Sequence, residues 1–592
     1  MKNWVRLLLV LAFYAAVFVV FTWPLATTFS SSFLAVLAPG HDTYGFIWNT
    51  WHFREQVLSG HNPYYTDWMF YPQGSWLVMH AYTPILGLFN LVLGHEILAV
   101  NTALLLSYTL SGTGAYLLAR RWVRSPLLGL LAGFVFAYSP YKLQRLPEHY
   151  NLVLTATVPF YILLFLQALE FREGRWLPSV RSWGAVAGCF GLGIVTLCSD
   201  YYVLFGLLYF SLAYASWFWL RIGQINWRER RTWFWLVGIL VGSHLFIRLL
   251  RVKHVKDNGG FWWGGDLVAY FMPPPTSRFL YWDWAARLYH NTKVFNTPGS
   301  HENTLFIGYA LLLLTLVVSI LYLARRRPAS LCYQDKQGRP LAWVLLVFVL
   351  FTVPALRIYG HDRLNLPTSL VHFIPFVNNI RCPTRWIMMV GLLLPILSFS
   401  ALEASWPTWC QSSFLRTGVS MLLAIAIAIE FWPQPYQQAS RATAPTVFQQ
   451  VAKLPGNTLV LIPMGIFDGQ QQVGNMLPEH MFYQTVHRKK MPGGCLSVVN
   501  PQLFKSLDKE PVLHTLLYLQ TKPDTVPPAP LTPQQVHNFL RIYKPAAFVV
   551  TPTYYHSPAH LYLRELLKHY NFQERMVDEY VLFAAPATSG ID

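Results

Sequence analysis

The sequence predicts a mainly α protein: a polytopic transmembrane helical bundle followed by a small C-terminal α/β domain. Three observations predict it. Only 12% of the 592 residues are charged and 54% are hydrophobic, whereas a soluble chain carries roughly 25% charge. About eleven apolar runs approach the ~20 residues that cross a bilayer. After Trp432-Pro433 prolines and glutamines rise, and such runs stop. The predicted division is a membrane domain at 1–432, with long external loops at 26–96 and 251–302, and an extracytoplasmic α/β domain at 433–592.

The expected spans lie near 6–25, 97–119, 126–139, 151–169, 184–199, 201–220, 233–250, 304–324, 341–356, 387–403 and 414–432. Cytoplasmic loops carry the excess of Lys and Arg. Lys2 and Arg6 precede the first span, and Arg120, Arg121 and Arg124 follow the second. Arg172, Arg175 and Arg181, then Arg221, Arg228, Arg230 and Arg231, then Arg325, Arg326 and Arg327, fill every second connection after that. The predicted protein is a multi-pass protein of the plasma (inner) membrane, with a cytoplasmic N-terminus and an extracytoplasmic tail. Ala35 to Ala38 resembles a signal-peptide cleavage site, although the first apolar run exceeds the usual 7–15 residues.

Within the first external loop, Tyr44, Trp48, Trp51 and Val57 recur at helical spacing, which predicts an amphipathic helix at the membrane interface. Trp68, Phe70, Tyr71 and Trp76 read as an aromatic belt. In the tail, Thr458 to Pro463, Ala546 to Thr551 and Tyr580 to Ala584 read as buried strands. Pro533 to Tyr543 and His560 to Tyr570 read as helices. The net charge of +18 follows from loop arginines and not from a basic stripe, which argues against nucleic acid as a partner. The six cysteines have no metal-ligand spacing.

Polar residues gather where the external ends of the spans are expected. Asp42 follows the first span and precedes the predicted amphipathic helix. It has two readings, a helix N-cap and a reactive carboxylate. An N-cap explains Asp42 alone, but not its companions His41, Glu148, His149, Asp200, Asp266 and Glu302. Lys142, Arg145, Arg381 and Arg385 are cations on the side where cations are disfavoured. Arginine holds phosphate through two parallel charge-assisted hydrogen bonds. A carboxylate and fixed cations beside lipid suit transfer from a lipid-linked phosphate. A base takes the proton of an acceptor hydroxyl, and the leaving phosphate is stabilised by positive charge.

Several short motifs then converge on one family. They are Gly40-His41-Asp42, Glu148-His149-Tyr150-Asn151-Leu152, Ser199-Asp200-Tyr201-Tyr202, Trp263-Gly264-Gly265-Asp266-Leu267, Glu302 with Ile307-Gly308-Tyr309, Arg381-Cys382-Pro383-Thr384-Arg385, and Tyr483-Gln484-Thr485-Val486-His487. In this order the chain resembles the GT-C superfamily of membrane glycosyltransferases, above all its uncharacterised bacterial members. The resemblance implies an inverting enzyme. It would move a sugar from a polyprenyl-phosphate donor to an extracytoplasmic glycan, lipid or protein acceptor. It implies Asp42 as the catalytic residue, a base or metal-coordinating group; the reading of the residues themselves adds Arg381, Arg385, Lys142 and Arg145 as phosphate-binding cations. His41, Glu148, His149, Asp200, Asp266 and Glu302 would line the substrate pocket. No cofactor is certain; a divalent metal stays open, although His41, standing where many relatives carry a second acidic residue, argues against a metal-assisted mechanism. Two other readings remain. A transporter or flippase would place ionisable groups at mid-membrane, where these spans have almost none. An assembly scaffold would leave the clustered carboxylates and arginines unexplained.

Overall fold

The structure is a computed structural model. It describes residues 3–37, 42–78, 80–253, 259–325, 331–375, 377–406, 412–468, 471–521 and 529–585. Two compact units divide the chain: Met1–Ala26 with Leu104–Tyr436, and Thr27–Ala103 with Gln437–Asp592. Compactness thus groups the first long loop with the tail, whereas composition had grouped it with the spans.

Every one of the expected apolar runs carries a helix. Among the described residues, six helical segments are long and apolar enough to cross a membrane: Trp4–Phe21, Glu96–Ala119, Tyr201–Gln224, Arg230–Val252, Pro383–Ala404 and Ser413–Phe431. Thr157–Ala168, Trp183–Leu197, Tyr309–Ala324 and Pro340–Thr352 are apolar but shorter. In Arg230–Val252 only 6% of the apolar window is buried, and Phe234 and Trp235 are 72% and 59% exposed. An apolar surface that continuous is not stable in water; lipid is its solvent, and the chain is an integral membrane protein.

The helix ends of the first unit follow local chemistry. Ser125, Ser182 and Ser412 each accept a hydrogen bond from the backbone N–H three residues on, and Pro126 starts its helix. Small residues let the helices approach. The Tyr14 hydroxyl donates to the Leu130 carbonyl at 2.8 Å, and a Cβ at Gly133 would stand 2.0 Å from that hydroxyl. Any larger residue there separates the two helices. The connections outside the long helices are ordered by short elements. A hairpin pairs Ala355–Ile358 with His361–Asn365 through Tyr359 and Gly360, both at positive φ. Short helices cover Asp283–Tyr289 and Ser300–Asn303.

The second unit is α/β. Its main sheet runs Gln573–Val577, Tyr580–Ala584, Pro545–Val550, Thr458–Ile462 in order. Pro545–Val550 is parallel to Thr458–Ile462 and antiparallel to Tyr580–Ala584. The neighbouring strands Pro545–Val550 and Thr458–Ile462 are buried along their whole length, and Tyr580–Ala584 is buried from Val581 on, as a sheet covered on both faces requires. Helices Pro533–Tyr543 and Pro558–Lys568 bury one face each. The edge strand Gln573–Val577 was not foreseen. Its sequence is mostly polar and exposed, which suits an edge that must resist further pairing.

The helix Thr43–Leu58 corrects the interfacial reading. Trp48 and Trp51 are 0% and 2% exposed and belong to the hydrophobic core of the second unit. The Trp48 indole N–H donates to Gln484 Oε1 at 2.6 Å. Gln484 in turn donates to the Trp68 carbonyl at 2.8 Å. Phe70 is also fully buried, so the predicted belt is partly core. Strand Ser32–Leu34 pairs antiparallel with Gln438–Ser440, which binds the early segment to the tail. Tryptophans at helical spacing suit a membrane interface and a protein core equally; the partner, 400 residues away, decides.

Candidate functional site

The first unit brings three of the expected residues, Arg145, Glu302 and Arg385, together. Arg145 ends the short helix Pro140–Arg145, whose proline stands at the first position. Tyr141, four residues earlier, lies on the same helix face, and the Arg145 guanidinium carbon sits 4.0 Å from its ring centre. Arg385 lies in the turn Pro383–Trp386, 4.5 Å from the ring centre of Tyr202. Between the two arginines stands Glu302. Arg145 Nη2 donates to Glu302 Oε2 at 2.8 Å. Arg385 Nε donates to the same oxygen at 3.1 Å, and its Nη2 donates to Oε1. The Arg385 contact is therefore bidentate, which fixes direction as well as charge.

Glu302 is held in place by its surroundings. Thr384 Oγ1 donates to the Glu302 carbonyl at 2.6 Å. Gln144 donates to Ser300 Oγ at 2.6 Å and accepts from Thr304 Oγ1 at 2.6 Å. Burial alone would raise the Glu302 carboxyl, but Arg385 and then Arg145 outweigh it and hold it well below the usual carboxylate range. Glu302 is therefore an anion at any ordinary pH, shared by two cations.

Arg145 is 0% exposed. Its Nε and Nη1 have no hydrogen-bond partner among the described residues. Buried donors are normally satisfied, and one that is not calls for a reason. Asn151 Oδ1 is also buried without a partner among them. Asn151 Nδ2 donates to Asp200 Oδ2 at 2.5 Å, and Asp200 Oδ1 accepts from the Val203 backbone at 3.0 Å, capping the helix Tyr201–Trp219. Burial raises the Asp200 carboxyl, against that backbone bond and the charge of Arg385. His149 Nδ1 lies 3.8 Å from Glu148 Oε2, and its ring stacks on His301 with centroids 6.2 Å apart. His149 is near enough for its charge to act on Glu302.

The other expected residues stand elsewhere. Lys142 is fully buried and donates to Thr155 Oγ1 at 2.8 Å and Ser111 Oγ at 3.4 Å. Its amine lies 4.4 Å from the Tyr108 ring centre, and burial lowers its pKa well below the ordinary lysine value. Arg381 is half-buried, and its backbone N–H donates to the Tyr202 hydroxyl at 2.7 Å. Asp266 does not join the cluster. Its carboxylate accepts from the backbone of Val268, Tyr359 and Gly360 at 2.9, 3.1 and 2.7 Å; it starts one turn and anchors the hairpin. In the second unit, Asp42 is exposed and precedes Thr43–Leu58, but its side chain makes no capping bond to that helix. His41 lies outside the described residues. No group of three His, Cys, Asp or Glu side chains among the described residues comes together as a metal site.

Sequence reading had placed Glu302 with the sugar and the arginines with the phosphate. The ion triad joins them. It also missed the rings beneath the guanidinium groups. The signal for one was present, since Tyr141 stands four residues before Arg145 in a short helical run. Nothing local marks Tyr202 as the floor for Arg385, because that contact is long-range.

A family model described as "Domain of unknown function (DUF6311)" matches residues 6–434. No curated protein matches. Among solved structures, the chain is similar to the crystal structure of ArnT from Cupriavidus metallidurans bound to undecaprenyl phosphate. The identity is 14% and the TM-score 0.43, over 98% of each chain. It is similar to the Archaeoglobus fulgidus oligosaccharyltransferase in complex with Zn and sulfate at 11% identity and TM-score 0.38, over 92% of this chain and 68% of that one. For the arabinofuranosyltransferase AftD from Mycobacteria the values are 15% and 0.43, over 92% of this chain and 35% of that one.

Proposed function

The chain belongs to the DUF6311 family, whose description leaves activity open, so from its buried ion triad we propose a membrane glycosyltransferase that uses a polyprenyl-phosphate sugar. One observation carries the reading. Arg145 is wholly buried, paired on one nitrogen only, and beside a second arginine. A buried cation with open N–H donors is costly unless an anion meets them. A phosphate oxygen is the natural partner for a guanidinium with donors to spare. The aromatic floors of Tyr141 and Tyr202 hold both guanidinium planes. The arginines are thereby oriented before the anion arrives.

In this reading the phosphate of the lipid donor takes the free edge of Arg145, with Arg385 and Arg381 adding positive charge. Lys142 lies in its own hydroxyl-lined pocket, with Ser111 and Thr155, and takes no part in holding the phosphate. A base takes the proton of an acceptor hydroxyl, and Asp42 is the residue the sequence offers for that step. The acceptor oxygen bonds to the anomeric carbon, the bond from that carbon to the phosphate oxygen breaks, and the configuration inverts. The lipid phosphate leaves as an anion whose added charge falls on the arginines. Glu148, His149 and Asp200 line the sugar's side of the cluster. The site works on the extracytoplasmic face, where no nucleotide sugar is supplied.

The test is binding of undecaprenyl phosphate to the purified protein, read by native mass spectrometry. Arg145→Gln is expected to lose the adduct while leaving bound phospholipid unchanged. Equal undecaprenyl phosphate retention by wild type and Arg145→Gln would end the assignment.

A further inference from the structure

A cleft of about 630 Å³ opens on the second unit, between the hairpin Tyr65–Thr66/Ser75–Trp76 and the segment 498–509. Its size falls within the roughly 300–1,000 Å³ of small-molecule sites. Trp76 presents 61% of its surface to solvent, unlike the buried Trp48 and Trp51 of the same unit. Tyr65 meets it edge-on, with ring centroids 5.4 Å apart at 67°. The Tyr65 hydroxyl donates to the Gln73 carbonyl at 2.8 Å. Gly74 has φ +68, and a Cβ there would stand 2.4 Å from that hydroxyl. Glycine is therefore what lets the tyrosine lie across the turn and keeps both rings in place.

The remaining lining mixes amides and hydroxyls with Val78, Val498 and Leu503 and is almost uncharged. Gln73 and Gln502 are exposed amides. Asn500 Oδ1 accepts from the Gln502 backbone at 3.0 Å, which fixes its amide and leaves the NH₂ group for a ligand. Lys509 is the one charged residue of the lining. A lipid tail would ask for a closed apolar wall, and a phosphate for more than one cation. Fixed rings with amides beside them suit a molecule that has an apolar face and a rim of hydroxyls. Amides donate and accept at once, as a hydroxyl does, and an aromatic face covers aliphatic C–H groups. We propose that this cleft binds a short glycan, its ring faces on Trp76 and Tyr65 and its hydroxyls on Gln73, Asn500 and Gln502. The inference takes its purpose from the transferase reading, since the glycan would be acceptor or growing product, but not its chemistry.

The experiment uses the full chain in lipid nanodiscs, free of sugar-headed detergent. Maltohexaose, mannohexaose and chitohexaose are titrated by calorimetry and tryptophan fluorescence. At least one is expected to bind saturably. Trp76→Ala is expected to weaken it roughly tenfold or more, the loss typical of one aromatic anchor. Trp76→Phe should retain most of the affinity, and the unfolding midpoint should not move, since Trp76 is exposed. Saturable binding of none of the three, or unchanged affinity in Trp76→Ala, overturns the proposal. Arg145→Gln separates the two readings: it should keep the glycan while losing the lipid phosphate. Normal lipid-phosphate binding by Arg145→Gln, together with glycan loss in Trp76→Ala, would sink the transferase assignment and leave this one standing.

Discussion

Replacing Glu302 by glutamine should destabilise the protein and at the same time make it hungrier for anions. The carboxylate accepts from both arginines, bidentate from Arg385 and at 2.8 Å from the wholly buried Arg145. Removing one partner of a buried pair costs about 3–5 kcal/mol, because the other charge is left uncompensated. Here two charges are left. The glutamine oxygen can still accept one hydrogen bond, which returns ~1 kcal/mol, but its NH₂ group then faces the other guanidinium donor to donor. A net loss of about 3 kcal/mol follows from the middle of that range. The vacated negative charge should also leave both arginines open to phosphate. An anion present at 100 times its dissociation constant stabilises by ~2.7 kcal/mol, enough to recover most of the loss. The assay is the unfolding midpoint in a denaturing-detergent titration of nanodisc-derived protein, in chloride and with undecaprenyl phosphate. Glu302→Gln should fall well below wild type in chloride and regain most of the gap with the lipid phosphate, a larger rise than wild type shows. A midpoint within ~0.5 kcal/mol of wild type in chloride, the scatter of an unremarkable substitution, would refute the argument that Glu302 neutralises this cluster.

Other outcomes follow from the same geometry. Asp42→Asn at normal expression should abolish surface-glycan transfer and let lipid-linked sugar accumulate; unchanged glycans would remove it from catalysis. The depressed pKa of Glu302 fixes a pH dependence: its stabilisation is complete above the ordinary value of about 4.3 and is lost as pH falls through the lower folded value. Wild type should therefore lose stability below pH ~4 more steeply than Glu302→Gln, and parallel acid titrations would contradict this. For Lys142, whose folded pKa is lowered by burial, the sign is opposite to that of a stabilising ion pair. The unfolded lysine gains a proton below about 10.4 that the folded one resists, so Lys142→Met should raise the midpoint at neutral pH by on the order of 1 kcal/mol. A drop in the midpoint would mean the amine is charged and matched in the native state.

The spans were legible because bilayer thickness sets a length that apolar runs reveal directly. So were three of the tail's strands, which are short, buried and mostly apolar. The strand at 573–577 escaped because an exposed edge carries Gln, Glu and Arg, residues of low strand preference. The helix at 43–58 was legible as a helix but not as core, since its burial depends on Gln484 and on the pairing of Ser32–Leu34 with the tail. At the site, residue types and rough placement were visible; the partnership of Glu302 with two arginines was not. It joins residues 145, 302 and 385, and no spacing rule reaches across such distances. Asp266 shows the converse. An aspartate beside glycines reads as a pocket residue, yet three backbone N–H groups take it up.

The pairing of Ser32 with Ser440 has a temporal side. A ribosome makes the first strand, then the long helical stretch, and only after about four hundred further residues the strand that completes it. Until then Trp48, Trp51 and Phe70 have no lasting cover, and such long-range closure is slow and prone to aggregation. A chain halted anywhere before the tail would insert its helices and still present an unfinished, sticky segment. Cells making this protein would need either a holding chaperone for that interval or a protease for the copies that never reach its end.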